Sequence, residues 1–517
     1  MFATGRISGV LLPIFSLRSS KDFGIGDFGC TEGFFRWMKE ARQRMWMLLP
    51  LLPTAPGDPS PYATRSAFGL NPLFIDLHQL PEFNDAGGAN ALSAAEVNQL
   101  AEARAAPRIR YDLVFALKNA ALRRAFDRFY ETEWKQQGER ALRFGKFRTQ
   151  MADWLDAFSL FAAISDQQGQ KGWWDWPQQL RQREPAALEE VRGRLEREIL
   201  FHAWQQWVAQ EQWHHVREQA RAHGVLICGD EPFIIGQNSA DAWSHPELLR
   251  RDARLGVPPD AFSADGQDWG LPYFDFQAIA REDFAWLRFR ARMAADYFDL
   301  RRIDHAVGYF RQWIRDQGTP KGRFIPPDEA SHRALGEKVF RLLSEEESGI
   351  VAEDLGVIPP FVREILSRLQ IPGYKVMRWE RDDGVYRNPH QYPKVSLATT
   401  GTHDTDTLRE YWETAPEEDR LGVGKVYPEF AGLAPTAEFT PQIHRALLAA
   451  AENAASDLSV LPWQDVLGTM DRINLPGSMG DANWSYRIAQ RSEELLTEPQ
   501  TRRAASFLAE LTDAARR

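Results

Sequence analysis

The chain predicts an α/β fold, a (β/α)8 TIM barrel with large helical insertions. Three observations predict it. Short apolar runs recur eight times, each closed by polar, Gly or Pro residues. Helical patterns separate several of them, and strand–helix alternation argues for a parallel sheet. The runs are near-continuously apolar, as strands covered on both faces are.

In order, the strand-like runs are "SGVLLPIF" (8–15), "RMWMLLPL" (44–51), "GVLICGD" (224–230), "LRRID" (300–304), "GIVAED" (349–354), "GYKVMRW" (373–379), "KVSLATTGTHD" (394–404) and "WQDVLG" (463–468). Between the third and fourth, Phe284, Leu287, Ala291, Ala294 and Phe298 recur at helical spacing over 282–298. After the fifth, "PPFVREILSRL" (359–369) opens on prolines, which suit a helix start. The stretch 80–220, rich in Ala, Leu, Arg, Glu and Gln, reads as a helical insertion within one catalytic unit spanning 1–517. A second, smaller helical insertion is expected over 405–460.

The 517-residue chain is 44% hydrophobic and 26% charged, as soluble enzymes are. A net charge of −10 argues against a binder of nucleic-acid backbones. No apolar stretch is long enough for a membrane span, and "GVLLPIF" (9–15) lacks the features of a signal peptide. A cytoplasmic protein is expected. Cys30 and Cys228 make no disulfide framework and read as small buried residues. The Arg-rich runs near 104–124 and 181–197 read as solvated helix faces. Eighteen Trp residues supply core, and some can serve as platforms for sugar rings.

Barrel enzymes carry their chemistry at the C-terminal ends of strands. Here four strand ends carry acids: Asp230, Asp304, Glu353 and the pair His403–Asp404. Two carboxyls flanking a bond are what glycoside cleavage requires, one ionised and one protonated. On a strand of period two, Arg302 and Asp304 share a face, and the cation favours the ionised form of the acid. Asp304 is therefore the candidate nucleophile. Glu353 follows the apolar "GIVA", where desolvation raises a carboxyl, so it is the candidate acid/base. Its neighbour Asp354 faces the other way and reads as structural. Asp230 reads as a hydrogen-bond acceptor near the site. Asp404 can hold sugar hydroxyls, or cap a helix over "TDTLREYW".

These residues also carry a resemblance. "RIDH" (302–305), "AEDLG" (352–356) and "TGTHDTDT" (400–407) resemble the signatures of the amylomaltases, or disproportionating enzymes. These are the 4-α-glucanotransferases of glycoside hydrolase family 77. "SPYATRSAFGLNPLFIDL" (60–77), "GDEPFIIGQNSADAWSHPEL" (229–248), "GVPPDAFSADGQDWGLP" (256–272) and "RINLPGS…NWSYR" (472–487) extend it over about 6–490. The resemblance implies a barrel with helical insertions and no C-terminal β-domain. It implies retaining transfer of α-1,4-glucan segments to the 4-hydroxyl of a glucan or glucose, with no metal or organic cofactor. Asp304 would be the nucleophile, Glu353 the acid/base and Asp404 the transition-state stabiliser. Arg302 and His403 would contact the sugar at the cleavage point, and Tyr62 would stack beneath it. Trp269 and Phe262 would border the acceptor side. Asn474 reads as a residue that touches the site or as a structural one. Maltodextrins are the expected partners, with neither nucleic acid nor membrane, for a monomer or homodimer. Three departures stand out: Asn238 where the family often has Asp, Ala261 where it has an aromatic, and "HDTDT" for the commoner "HDNDT".

Overall fold

The computed structural model describes residues 5–259, 266–316, 319, 321–478 and 480–517. Eight parallel strands close into a barrel: β1 (Ile7–Leu11), β2 (Met45–Met47), β3 (Leu226–Glu231), β4 (Leu300–Ile303), β5 (Gly349–Ala352), β6 (Gly373–Val376), β7 (Ser396–Thr399) and β8 (Leu458–Pro462). Each pairs with its neighbours in sequence, and β8 closes onto β1 with Ile7 opposite Leu458. The strands are short and apolar because helices cover their outer faces and packed side chains fill the inside.

Several boundaries differ from those the sequence predicts. The eighth strand lies at Leu458–Pro462, and Trp463–Leu467 is a helix. The apolar run continues on both sides of Pro462; this residue has no N–H to donate, so the strand ends on it and the helix starts after it. The seventh strand stops at Thr399, and 400–407 is a turn-rich loop. The first strand stops at Leu11, and the expected helix over 282–298 runs from Ala285 to Tyr297.

Between β2 and β3 the chain runs through helices, among them Tyr111–Phe129, Ala152–Gln167 and the 27-residue Glu196–Ala222. Helices Leu408–Thr414, Glu417–Val426 and Pro441–Asn453 link β7 to β8. A feature that the sequence reading misses is a four-stranded antiparallel sheet beside the barrel mouth. Its order is Gln267–Phe274, Leu249–Val257, Gln312–Asp316, Gly322–Ile325. "LRRDARLGV" and "QDWGLPYF" are polar and half-exposed, so they lack the apolar run that marks a barrel strand.

One buried ion pair ties the first long helical stretch to the barrel. Lys118, on helix Tyr111–Phe129, donates to Asp27 Oδ2 at 2.9 Å and to the Ile75 carbonyl at 2.7 Å. Both side chains are nearly inaccessible. Removing one partner of such a pair strands a buried charge, which costs about 3–5 kcal/mol. Lys118→Met is expected to lose about that much stability in equilibrium urea unfolding, and Asp27→Asn added to it to recover part of the loss. An unchanged unfolding midpoint for Lys118→Met would show that the pair contributes nothing.

Candidate active site

The site forms where β3, β4 and β5 end beside the loop that follows β7. Arg302, on β4, is buried and points into the barrel mouth. Its Nη1 donates to Asp230 Oδ1 at 2.6 Å and to Asp304 Oδ1 at 3.0 Å, and Nη2 lies 4.0 Å from Glu353 Oε2. One guanidinium thus faces three carboxyls from three consecutive strands. A cation buried this deeply persists because it is paired. Burial disfavours the Arg302 charge, but Asp230, Tyr62 and Asp304 outweigh it and hold the proton more firmly than usual.

The carboxyls around it differ in environment. Asp304 follows the last residue of β4, and its Oδ2 accepts the Phe233 amide at 3.3 Å. Glu353 follows β5; its Oε1 accepts from the Leu355 amide at 3.0 Å and its Oε2 from the His305 amide at 2.8 Å. Those bonds and Arg302 favour ionisation of Glu353. Desolvation outweighs them, with the charge of Asp304 adding to it, and pushes the Glu353 carboxyl up to about 7. One acid is therefore ion-paired and its neighbour holds a proton near neutrality. Asp354 turns away, accepts the Tyr374 amide at 2.7 Å and pairs with Arg363, a structural arrangement.

On the other side, Tyr62 donates its single proton to Asp230 Oδ2 at 2.6 Å. Its oxygen therefore accepts from His403 Nε2, 3.0 Å away, which places a proton on that nitrogen. The two rings stack, with centroids 5.5 Å apart and planes at 23°. His403 Nε2 is also 3.4 Å from Asp404 Oδ2, and Asn474 Nδ2 donates to Asp404 Oδ1 at 2.7 Å. The protein packed around Asp404 disfavours its charge, but His403 and the Asn474 bond outweigh that and hold it at about 2. Asp404 does not cap the following helix; Thr407 does, accepting from the Glu410 amide.

Trp269 lies on the antiparallel sheet with its ring edge-on to His305, 4.9 Å between centroids. His305 sits at φ 42°, in the left-handed region, and its amide donates to Glu353. Phe262 and Ala261 lie outside the described residues. Asn238 Oδ1 accepts the Trp173 amide at 3.2 Å, a loop contact made without a charge. The structure thus brings Tyr62, Asp230, Trp269, Arg302, Asp304, Glu353, His403, Asp404 and Asn474 to one mouth.

Sequence reasoning missed two residues there. Trp484, at φ 59°, sets its ring 5.5 Å from Tyr62 and 5.9 Å from His403. Phe233 supplies the amide that holds Asp304. Both stand inside quoted segments, "NWSYR" and "GDEPFI", but only the tertiary fold shows what they touch.

Among the described residues no His, Cys, Asp and Glu cluster has the arrangement of a metal site, and no helix is long and apolar enough to cross a membrane. A family model described as 4-alpha-glucanotransferase, glycoside hydrolase 77, matches residues 12–492. The 4-alpha-glucanotransferase of Thermus thermophilus is 36% identical over 502 residues, covering 93% of this chain and 95% of its own length. That of Synechocystis is 34% identical, covering 93% and 94%. The solved amylomaltase of Streptococcus agalactiae, in complex with acarbose, is 28% identical with a TM-score of 0.85 over 99% of both chains. With a model match over most of its length and relatives this similar, the chain belongs to glycoside hydrolase family 77, the 4-α-glucanotransferases.

Proposed function

We propose that Asp304 is the nucleophile, Glu353 the acid/base and Asp404 the transition-state stabiliser of this transferase. The observation that carries the reading is the shared guanidinium of Arg302 between an ion-paired Asp304 and a Glu353 raised to about 7. In the first step, Asp304 attacks the anomeric carbon of an α-1,4-glucan. The bond to the leaving oxygen breaks and Glu353 gives that oxygen its proton. A β-linked glucosyl-enzyme results, as retaining chemistry requires. Esterification removes the Asp304 charge and so one of the effects that hold the Glu353 proton. The carboxylate can then take the proton from the 4-hydroxyl of an incoming glucan or glucose, whose oxygen attacks the same carbon and frees Asp304.

Ionised Asp404, fixed by His403 and Asn474, faces positive charge developing on the sugar. Arg302 and His403 contact that sugar, and the Tyr62 ring, held by Asp230 and His403, stacks beneath it. Trp269 borders the acceptor side, with Phe262 expected to join it. The relative solved with acarbose supports α-glucans as the ligands of this mouth. The chemistry as proposed is carried by carboxyls and calls on no metal or organic cofactor. We read the chain as one cytoplasmic catalytic unit, monomeric or homodimeric, with 80–220 and 405–460 as insertions in its barrel.

The test is incubation of the purified protein with maltotriose alone. Glucose and a ladder of longer maltodextrins are expected, with total reducing ends constant. Rising reducing ends without elongated products would mean that water, not sugar, accepts the glucosyl group.

A further inference from the structure

Behind the acids lies a buried charged cluster that the chemistry above does not use. On β3, side chains alternate: Asp230 points into the mouth and Glu231 outward, under the helix layer. On β4, Arg302 points inward and Arg301 outward. Glu231 Oε1 lies 3.2 Å from Arg290 Nε, on helix Ala285–Tyr297, and Oε2 lies 3.7 Å from Arg301 Nη1. Neither contact is aligned as a hydrogen bond, and all three side chains are almost wholly buried. Charges in a strand–helix layer that is normally apolar are costly, which invites a role for them.

The Arg290 guanidinium also grips the main chain. Its Nη2 donates to the Pro232 carbonyl and its Nη1 to the Phe233 carbonyl, the latter at 3.3 Å. The grip falls on the dipeptide that serves both acids. The Phe233 amide donates to Asp304 Oδ2 at 3.3 Å. The Phe233 ring packs edge-on against His305, 5.7 Å between centroids, and the His305 amide holds Glu353 at 2.8 Å. Gly308 lets this ring in: a Cβ there would stand 2.6 Å from it. The Tyr309 hydroxyl adds a bond to the Phe233 carbonyl at 3.4 Å.

We propose that Arg290, anchored by Glu231, is a positioning residue for glucan transfer: it clamps Pro232–Phe233 so that one dipeptide aims Asp304 through its amide and supports Glu353 through its ring. The proposal rests on the assignment of Asp304 and Glu353 given above. Misplacing a reacting group by about 1 Å costs on the order of a hundredfold in rate, so a slackened clamp is felt at the chemical step rather than in glucan binding.

The test uses α-maltosyl fluoride, whose leaving group needs no proton from Glu353. In the Glu353→Gln background, where the missing base slows turnover after the burst, the burst of fluoride reads the attack by Asp304. Its amplitude counts competent enzyme, and its rate reads how well the nucleophile is aimed. Lys at position 290 keeps the charge but cannot fork onto two carbonyls. Arg290→Lys is expected to slow the burst by about ten- to a hundredfold at near-parental amplitude, with KM for maltotriose within about twofold. A purely structural role lowers the amplitude and leaves the rate, and that result would overturn the proposal. If Arg290→Lys does not fold, Glu231→Gln removes the charge that anchors Arg290, and a parental burst rate there overturns it as well. Asp304→Asn is run in parallel. A burst from that variant means that the catalytic assignment has failed; no burst from it, with a parental rate from Arg290→Lys, means that only the clamp has.

Discussion

Asp304→Asn is expected to lower glucan transfer by on the order of 10⁴- to 10⁶-fold, the scale on which enzymes lose turnover when a covalent nucleophile is removed. The amide is nearly isosteric with the carboxylate, so its oxygen can still accept the Phe233 amide, and Arg302 keeps its bond to Asp230. The fold should therefore hold, and the loss should fall on kcat. What disappears is the anion that, in the proposed mechanism, attacks the anomeric carbon, and no neighbour replaces it. Asp230 is engaged by Tyr62 and Arg302, and Asp404 by His403 and Asn474. Turnover of maltotriose followed by chromatography is the measurement, with mass spectrometry to exclude deamidation back to Asp. Activity within about tenfold of the parent would remove Asp304 from the nucleophile's role.

The barrel strands and the acids at their ends were legible because both signals are local. An apolar run that stops at Gly, Pro or an acid marks a strand end, and barrel geometry then says where that acid lies. Even the choice of Glu353 over Asp354 follows from alternation, and the bond from the Tyr374 amide to Asp354 shows the alternation at work. What was hidden depends on partners far along the chain. Pro462 sits inside one apolar run, and nothing local says which half is strand; pairing with β1 decides it. The antiparallel sheet joins segments from either side of β4 whose outer faces are polar, so its strands carry little apolar pattern. Nothing local marks Glu231 and Arg301 as buried; the tertiary packing that includes Arg290 does. The neighbours of Trp484, at Tyr62 and His403, likewise follow from loop geometry.

Glu353→Gln separates the two halves of the reaction. With maltotriose the donor oxygen must be protonated as it leaves, and losing a positioned general acid costs about 10²- to 10⁴-fold. With α-maltosyl fluoride no proton is needed for departure, so the variant should still release one equivalent of fluoride in a burst. Turnover after the burst should be slow, because the base that activates the acceptor hydroxyl is gone. The pH profile gives an independent check. Desolvation, with the Asp304 charge adding to it, holds the parent's Glu353 carboxyl at about 7, and glycosylation by a natural glucan needs its protonated form. The parent's kcat/KM for maltotriose should therefore fall as pH rises through about 7. The same limb should be absent from the fluoride burst of the parent and from the residual maltotriose activity of Glu353→Gln. If the limb persists in the Gln variant, another group titrates there and Glu353 is not the acid. If the burst is lost along with maltotriose transfer, the side chain matters for the attack itself, through the Arg302 network that it shares with Asp304, and acid/base catalysis does not account for the defect.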